Sequence, residues 1–201
     1  MSENSTDLRV VRSRTLMENA LLSILENKGI KGLTVKNLCE TAGINRGTFY
    51  LHFKDIFHLI EETVFIQELL SVFEPLNLQE LMRYPDHEGA YPPITKAFQY
   101  MHKHASFFKA LFHSEAPAEL KERLQYLVGT RLYENLKRNQ DDNSENLFTD
   151  YAIAYLGNAQ FGMIQHWFTA DRSIPPEDIA RMLTRYIRNT PCLDNGLDNE
   201  G

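Results

Sequence analysis

Apolar positions recur at helical spacing along almost the whole chain, with polar and charged residues between them. Leu16, Ala20, Ile24 and Leu25 fall on one face of a first helix, which Lys28 and Gly29 end with glycine in the left-handed cap position. Thr34 opens a short helix that turns Val35, Leu38, Cys39 and Ala42 inward, and Gly43 stops it. Asn45 caps a second short helix carrying Phe49 and Phe53. Asp55 caps a longer one with Ile56, Leu59, Ile60, Thr63, Val64 and Leu70 along one side. No stretch keeps up the two-residue alternation of a strand, and the turn pair Asn195-Gly196 does not lie between apolar runs. The pattern predicts an all-α protein.

Breakers crowd Arg83 to Pro93. A helix resumes near Ile94 with two stripes: Ile94, Phe98, Met101, Ala105, Phe108 and Phe112 on one, and Tyr100, His104, Phe107 and Leu111 on the other. Pro117 suits the first turn of the next helix, whose face is Leu120, Leu124, Leu127, Val128, Leu132 and Leu136. Residues 139–146 read as a polar linker. Leu147 to Thr169 is the most apolar helix and is greasy on two sides. Pro175-Pro176-Glu177-Asp178 starts the last helix, with Ile179, Met182, Leu183, Tyr186 and Ile187 as its stripe. The expected organisation is an N-terminal three-helix domain over 1–54 with a flexible arm, a helical domain over 55–189, and a disordered tail over 190–201.

Composition narrows the class. The 201 residues are 43% hydrophobic and 24% charged, which excludes wholesale disorder, collagen-like repeats and a disulfide scaffold. No apolar run approaches the ~20 residues of a membrane span, so no membrane is expected. Two cysteines, Cys39 and Cys192, outside any metal-ligand spacing, point to free thiols in a reducing, cytoplasmic compartment. The net charge of -6 is uneven. The first 58 residues hold 8 Lys+Arg against 6 Asp+Glu, a balance of +2, which leaves -8 on the remainder. A mildly basic head on an acidic body suits an anionic partner for the head. There is no Gly-x-Ser-x-Gly elbow, phosphate-cradling glycine loop or His-Glu-x-x-His, so neither an enzyme nor a cofactor is expected. His102 and His104 are two apart, on different sides of a helix and without supporting ligands, so no metal site is expected either.

The strongest local pattern is LTVKNLCETAGINRGTFYLHF, from Leu33 to Phe53. It reads as two short helices meeting at a tight turn around Ala42-Gly43-Ile44, with Val35, Leu38, Ile44 and Phe49 as a small shared core. That leaves Asn45, Arg46, Gly47, Thr48, Tyr50 and His52 facing outward, groups that donate to phosphates and base edges. Gly47 lets the second helix approach a groove closely, which offsets the ~1 kcal/mol that glycine costs inside a helix.

This stretch, with the helix before it and the aromatic-rich helix after it, resembles the DNA-binding domain of the TetR/AcrR family of transcriptional regulators over roughly the first third of the chain. The resemblance implies that Leu33 to His52 is a helix-turn-helix. It implies that Thr34, Thr48, Tyr50 and His52 touch phosphate, with Asn45 and Arg46 facing bases. Arg46 is the candidate guanine reader, because a guanidinium fits the O6/N7 edge with two hydrogen bonds. Gly47 completes the surface. Ile56 and Phe57 stand where the family usually carries a lysine and an acidic residue, leaving Lys54 as the adjacent cation.

The resemblance further implies that the body binds an effector and dimerises, and that the protein is a homodimeric repressor on a palindromic double-stranded operator, released by an unidentified small molecule. The alternative is an activator or co-regulator whose body docks a partner protein. Tyr100, His104, Phe107, Phe161, Gln165, His166 and Trp167 are the candidate effector contacts. Phe148, Ala152, Tyr155, Ala159 and Met163, with Ile179, Met182, Leu183 and Tyr186 of the last helix, are the candidate dimer interface, a four-helix arrangement across a two-fold axis. Burial of the same helix in a monomer core is the competing reading of its two apolar sides.

Overall fold

The computed structural model describes residues 3–112, 116–138, 147–170 and 174–189. The fold is all-α, and no strand occurs among the described residues. The helices are α1 (Glu3–Lys28), α2 (Val35–Ala42), α3 (Arg46–His52), α4 (Ile56–Glu61), α5 (Val64–Phe73), α6 (Leu78–Arg83), α7 (Pro92–Lys103), α8 (Ala105–Phe112), α9 (Ala118–Arg138), α10 (Leu147–Thr169) and α11 (Pro176–Arg188). They form two compact units, Met1–Gln67 with Ser106–Lys121, and Glu68–Ala105 with Glu122–Gly201.

Several boundaries differ from the sequence reading. The first helix begins at Glu3 rather than near Leu16, since neither Gly nor Pro interrupts the chain before Gly29. Leu8 and Val11 on its first turns are exposed, which is why no apolar stripe announced it. Gly29 has positive φ, as a helix-ending glycine should, but its ψ of -174° is extended rather than left-handed helical. The helix expected from Asp55 through Leu70 is two helices. Thr63, fully buried, makes the break: its hydroxyl donates to the Ile60 carbonyl at 2.7 Å and accepts from the Ile66 N–H at 3.4 Å, so it caps α5 with its own side chain. The helix expected from Ile94 to Phe112 likewise breaks at His104, at φ -108° and ψ 34°. Asn77 caps α6, a helix the sequence reading did not assign, by accepting from the Glu80 N–H. The linker over 139–146 and the tail over 190–201, Cys192 included, lie outside the described residues.

The first unit is centred on Met17, Leu21 and Ile24 of α1, Leu38 of α2, Phe49 of α3, and Leu59 and Ile60 of α4, all of them buried. Phe107 and Phe108 of α8 are buried in the same unit, where Phe65 stacks on Phe107 with centroids 4.8 Å apart. The second unit is built on α11 packed against α7, with α6 and α10 also against α11. A buried hydrogen bond from the Tyr91 N–H to the Thr184 hydroxyl oxygen, 3.1 Å, joins the start of α7 to α11. The Gln99 side-chain amide donates to Glu177 at 2.7 Å and joins the same two helices. Among the described residues no helix is long and apolar enough to cross a membrane.

Candidate nucleic-acid interface

Local chemistry positions α2 and α3. The Thr34 hydroxyl oxygen accepts from the Asn37 N–H at 3.1 Å and starts α2, while the Asn37 side chain reaches back to the Gly32 carbonyl at 2.8 Å. Gly43 ends α2 in the left-handed region, φ 65° and ψ 33°. The next N–H, of Ile44, donates to the Cys39 carbonyl at 3.0 Å, which closes the turn and reverses the chain within two residues. A side chain at position 43 would meet no steric wall, so its cost would be backbone strain alone. The Asn45 side-chain amide oxygen then caps α3, accepting from the Thr48 N–H at 2.7 Å.

One face of α3 is spent on packing. Phe49 is fully buried, with Phe53 5.9 Å away between ring centroids. Arg46, Gly47 and Tyr50 are exposed, and Thr48 and His52 are half-exposed. Thr34, Asn45 and Lys54 are exposed as well, so all eight residues of the expected DNA-facing set reach solvent at least in part. Two of them also have structural duties, because Thr34 and Asn45 are the N-caps of α2 and α3.

The seam between α3 and α4 is closely tied. The Lys54 N–H donates to His58 Nδ1 at 3.1 Å, and the His58 N–H donates to the Asp55 carboxylate at 2.7 Å. The His58 ring stands edge-on to Phe53, 5.7 Å away. The Arg14 guanidinium lies 5.2 Å from the Phe53 ring centroid and 3.5 Å from the Glu62 carboxylate. Partial burial, with the Arg14 charge adding to it, pushes His52 below the ordinary histidine range. Cys39 is a buried thiol whose pKa burial pushes up; nearby Arg46 opposes that shift and Glu40 adds to it. Ile56 and Phe57 are half-buried.

Sequence reasoning passed over Leu51. It is 84% exposed, the most exposed large apolar side chain among those described. Helix geometry was the available signal, since a residue two places from buried Phe49 points about 200° away from it.

The expected effector contacts are divided between the two units. Phe107 is core in the first unit. In the second unit Trp167 is also core: its indole N–H donates to the Ile174 carbonyl at 2.9 Å and its ring stands edge-on to Phe98. His166 is exposed, and Phe161 and Gln165 are half-buried. Tyr100 and His104 lie together, ring centroids 4.7 Å apart. Burial, with the Glu68 carboxylate alongside, pushes the Tyr100 phenol well above its usual range, whereas burial pushes His104 down.

The expected dimer set also divides. Ile179 and Leu183 are buried on the side of α11 that packs within its own unit, and so are not available to a second chain. Met182 and Tyr186, at the edge of the same stripe, are exposed, as are Tyr155 and Ala159 on α10; Met163 is half-buried. The side chains of Phe148 and Ala152 lie outside the described residues.

Comparison with known proteins places both halves of the chain. Residues 19–63 match the family described as bacterial regulatory proteins, tetR family, and residues 88–189, half of the chain, match a transcriptional regulator C-terminal region. A relative in Bacillus subtilis (strain 168), the HTH-type transcriptional regulator YxbF, is 23% identical over 178 residues, which are 85% of this chain. The chain spans 43% of the length of that relative. Two solved structures share the fold. One is a tetR-family transcriptional regulator from Streptomyces coelicolor, with TM-score 0.56, 15% identity, and coverage of 87% of this chain and 78% of that one. The other is the dihydroxyacetone kinase operon activator DhaS, with TM-score 0.51, 14% identity, and coverage of 87% and 93%.

Proposed function

The chain belongs to the tetR family of bacterial regulatory proteins, and from that premise we propose that it is a homodimeric, sequence-specific DNA-binding repressor that a small-molecule effector releases from a palindromic operator. The observation that carries the reading is α3 itself. Its inner face is spent on Phe49, it is capped by Asn45, and it leaves Arg46 and Tyr50 exposed on a helix too short to serve as a structural pillar.

In this reading α3 enters the major groove. Arg46 hydrogen-bonds a guanine edge, while Tyr50, Thr48, Thr34, His52 and Lys54 hold phosphates and fix the register. The Gly47 backbone lets the helix approach closely. A second copy joins through the uncovered Tyr155, Ala159, Met182 and Tyr186 of α10 and α11, so that two heads read the two half-sites. Effector binding in the second unit, with Tyr100 and His104 as polar tips, shifts the population toward a state whose heads no longer match the operator spacing.

Selection of bound sequences from a random duplex pool tests this directly. The expected result is a palindromic consensus with half-sites about one helical turn or more apart. Indifference to every duplex at low salt would refute DNA recognition, and a single asymmetric half-site would refute the dimer.

A further inference from the structure

On a helix of 3.6 residues per turn, successive side chains lie about 100° apart. The buried ring of Phe49 therefore fixes which residues point straight away from the core: Gly47, about 200° before it, and Leu51, about 200° after it. Gly47 and Leu51 are four apart and stack on one ridge. Arg46 and Tyr50 flank that ridge on one side, Thr48 and His52 on the other. The outermost line of α3 thus carries one residue with no side chain and one with an aliphatic side chain, 84% exposed. Neither can donate or accept a side-chain hydrogen bond. Phe49 and Phe53 take the inner face, and Leu51 is left to solvent.

Resting on the DNA-binding reading above, we infer that Leu51 is a specificity-determining residue that reads a thymine through its 5-methyl group. The major groove displays one apolar feature, that methyl, and aliphatic or methyl-bearing side chains recognise it by contact. Gly47 one turn earlier brings the helix backbone close enough for a side chain of leucine length to reach the base. Arg46 supplies polar discrimination at one base pair, and Leu51 supplies apolar discrimination at another.

The test uses the full chain and the operator obtained from the random pool. Each thymine is replaced in turn by deoxyuridine, which removes the methyl and nothing else. Wild-type protein is expected to lose about fourfold in affinity at one thymine per half-site, the worth of one buried methyl. Leu51→Ala, at an exposed position and so expected to fold, should bind the unmodified operator more weakly and lose nothing further at that thymine. Leu51→Met should restore the sensitivity. Deoxyuridine tolerated everywhere by wild type, an undiminished penalty in Leu51→Ala, or a consensus half-site with no thymine each overturns the inference while leaving DNA recognition intact. No enrichment of any sequence overturns the underlying reading as well.

Discussion

The Asn45 side-chain oxygen accepts two hydrogen bonds from Thr48, one from its backbone N–H at 2.7 Å and one from its hydroxyl at 3.1 Å. The residue that opens α3 is therefore committed to holding that helix together.

Asn45→Ala should accordingly lower stability by about 1–2 kcal/mol, and Asn45→Ser should recover most of the loss. Urea unfolding with the slope held constant measures both. An unchanged midpoint together with a loss of operator affinity would assign Asn45 to the DNA and not to the cap.

Arg46 and Tyr50 should separate by specificity. Arg46→Ala is expected to relax preference at one base position, at a cost of about 1–3 kcal/mol there. Tyr50→Ala should weaken binding to operator and random duplex alike. Equal behaviour of the two variants across both kinds of DNA would abolish this division of labour.

His52 gives the pH dependence a sign. In the free protein its pKa lies below the ordinary histidine value, so it is neutral at pH 7. A phosphate brought alongside favours the charged form, so the complex takes up a proton and operator affinity should rise as the pH falls from 7 toward 6. His52→Gln should flatten that part of the profile. In the free protein the same depression acts on stability in the opposite sense: the unfolded chain binds the proton more readily, so stability falls as the pH drops below the unfolded histidine range. Affinity titrations and melts at matched pH values measure the two slopes, and an affinity profile unchanged in His52→Gln would remove His52 from the phosphate set.

The uncovered tyrosines of α10 and α11 predict the assembly. Tyr155→Glu combined with Tyr186→Glu should convert a dimer into a monomer in light scattering, with near-wild-type helix content because both positions are exposed. Ile179→Glu should instead unfold the second unit, since that side chain is buried against its own helices. Retention of the dimer in the double variant would move the interface elsewhere.

The legible parts of the fold were those set by local chemistry. Thr34, Asn45 and Asp55 each accept a hydrogen bond from an N–H three residues on, and Gly43 takes the left-handed turn, so four boundaries could be read from a few residues at a time. The breaks at Thr63 and His104 could not. Neither is a glycine or proline, and the apolar stripe continues across both. The stripe of α11 showed that something covers it, but not how far: Ile179 and Leu183 are buried in their own unit, while Met182 and Tyr186 at its edge stay exposed. In the candidate interface the polar outward residues were readable by their chemistry. Leu51 was overlooked because an aliphatic residue suggests a core until the direction of Phe49 shows otherwise.

Arg14 sits on α1, yet its charge spans the Phe53 ring at the end of α3 and the Glu62 carboxylate just past α4. The end of α3 is thereby tied to α1 and to the residue that follows α4. On the proposed DNA-binding reading, variation at position 14 is expected to retune how firmly α3 is held against a duplex while the proposed base-facing side chains stay the same, a route by which relatives sharing one recognition surface come to differ in strength without differing in target.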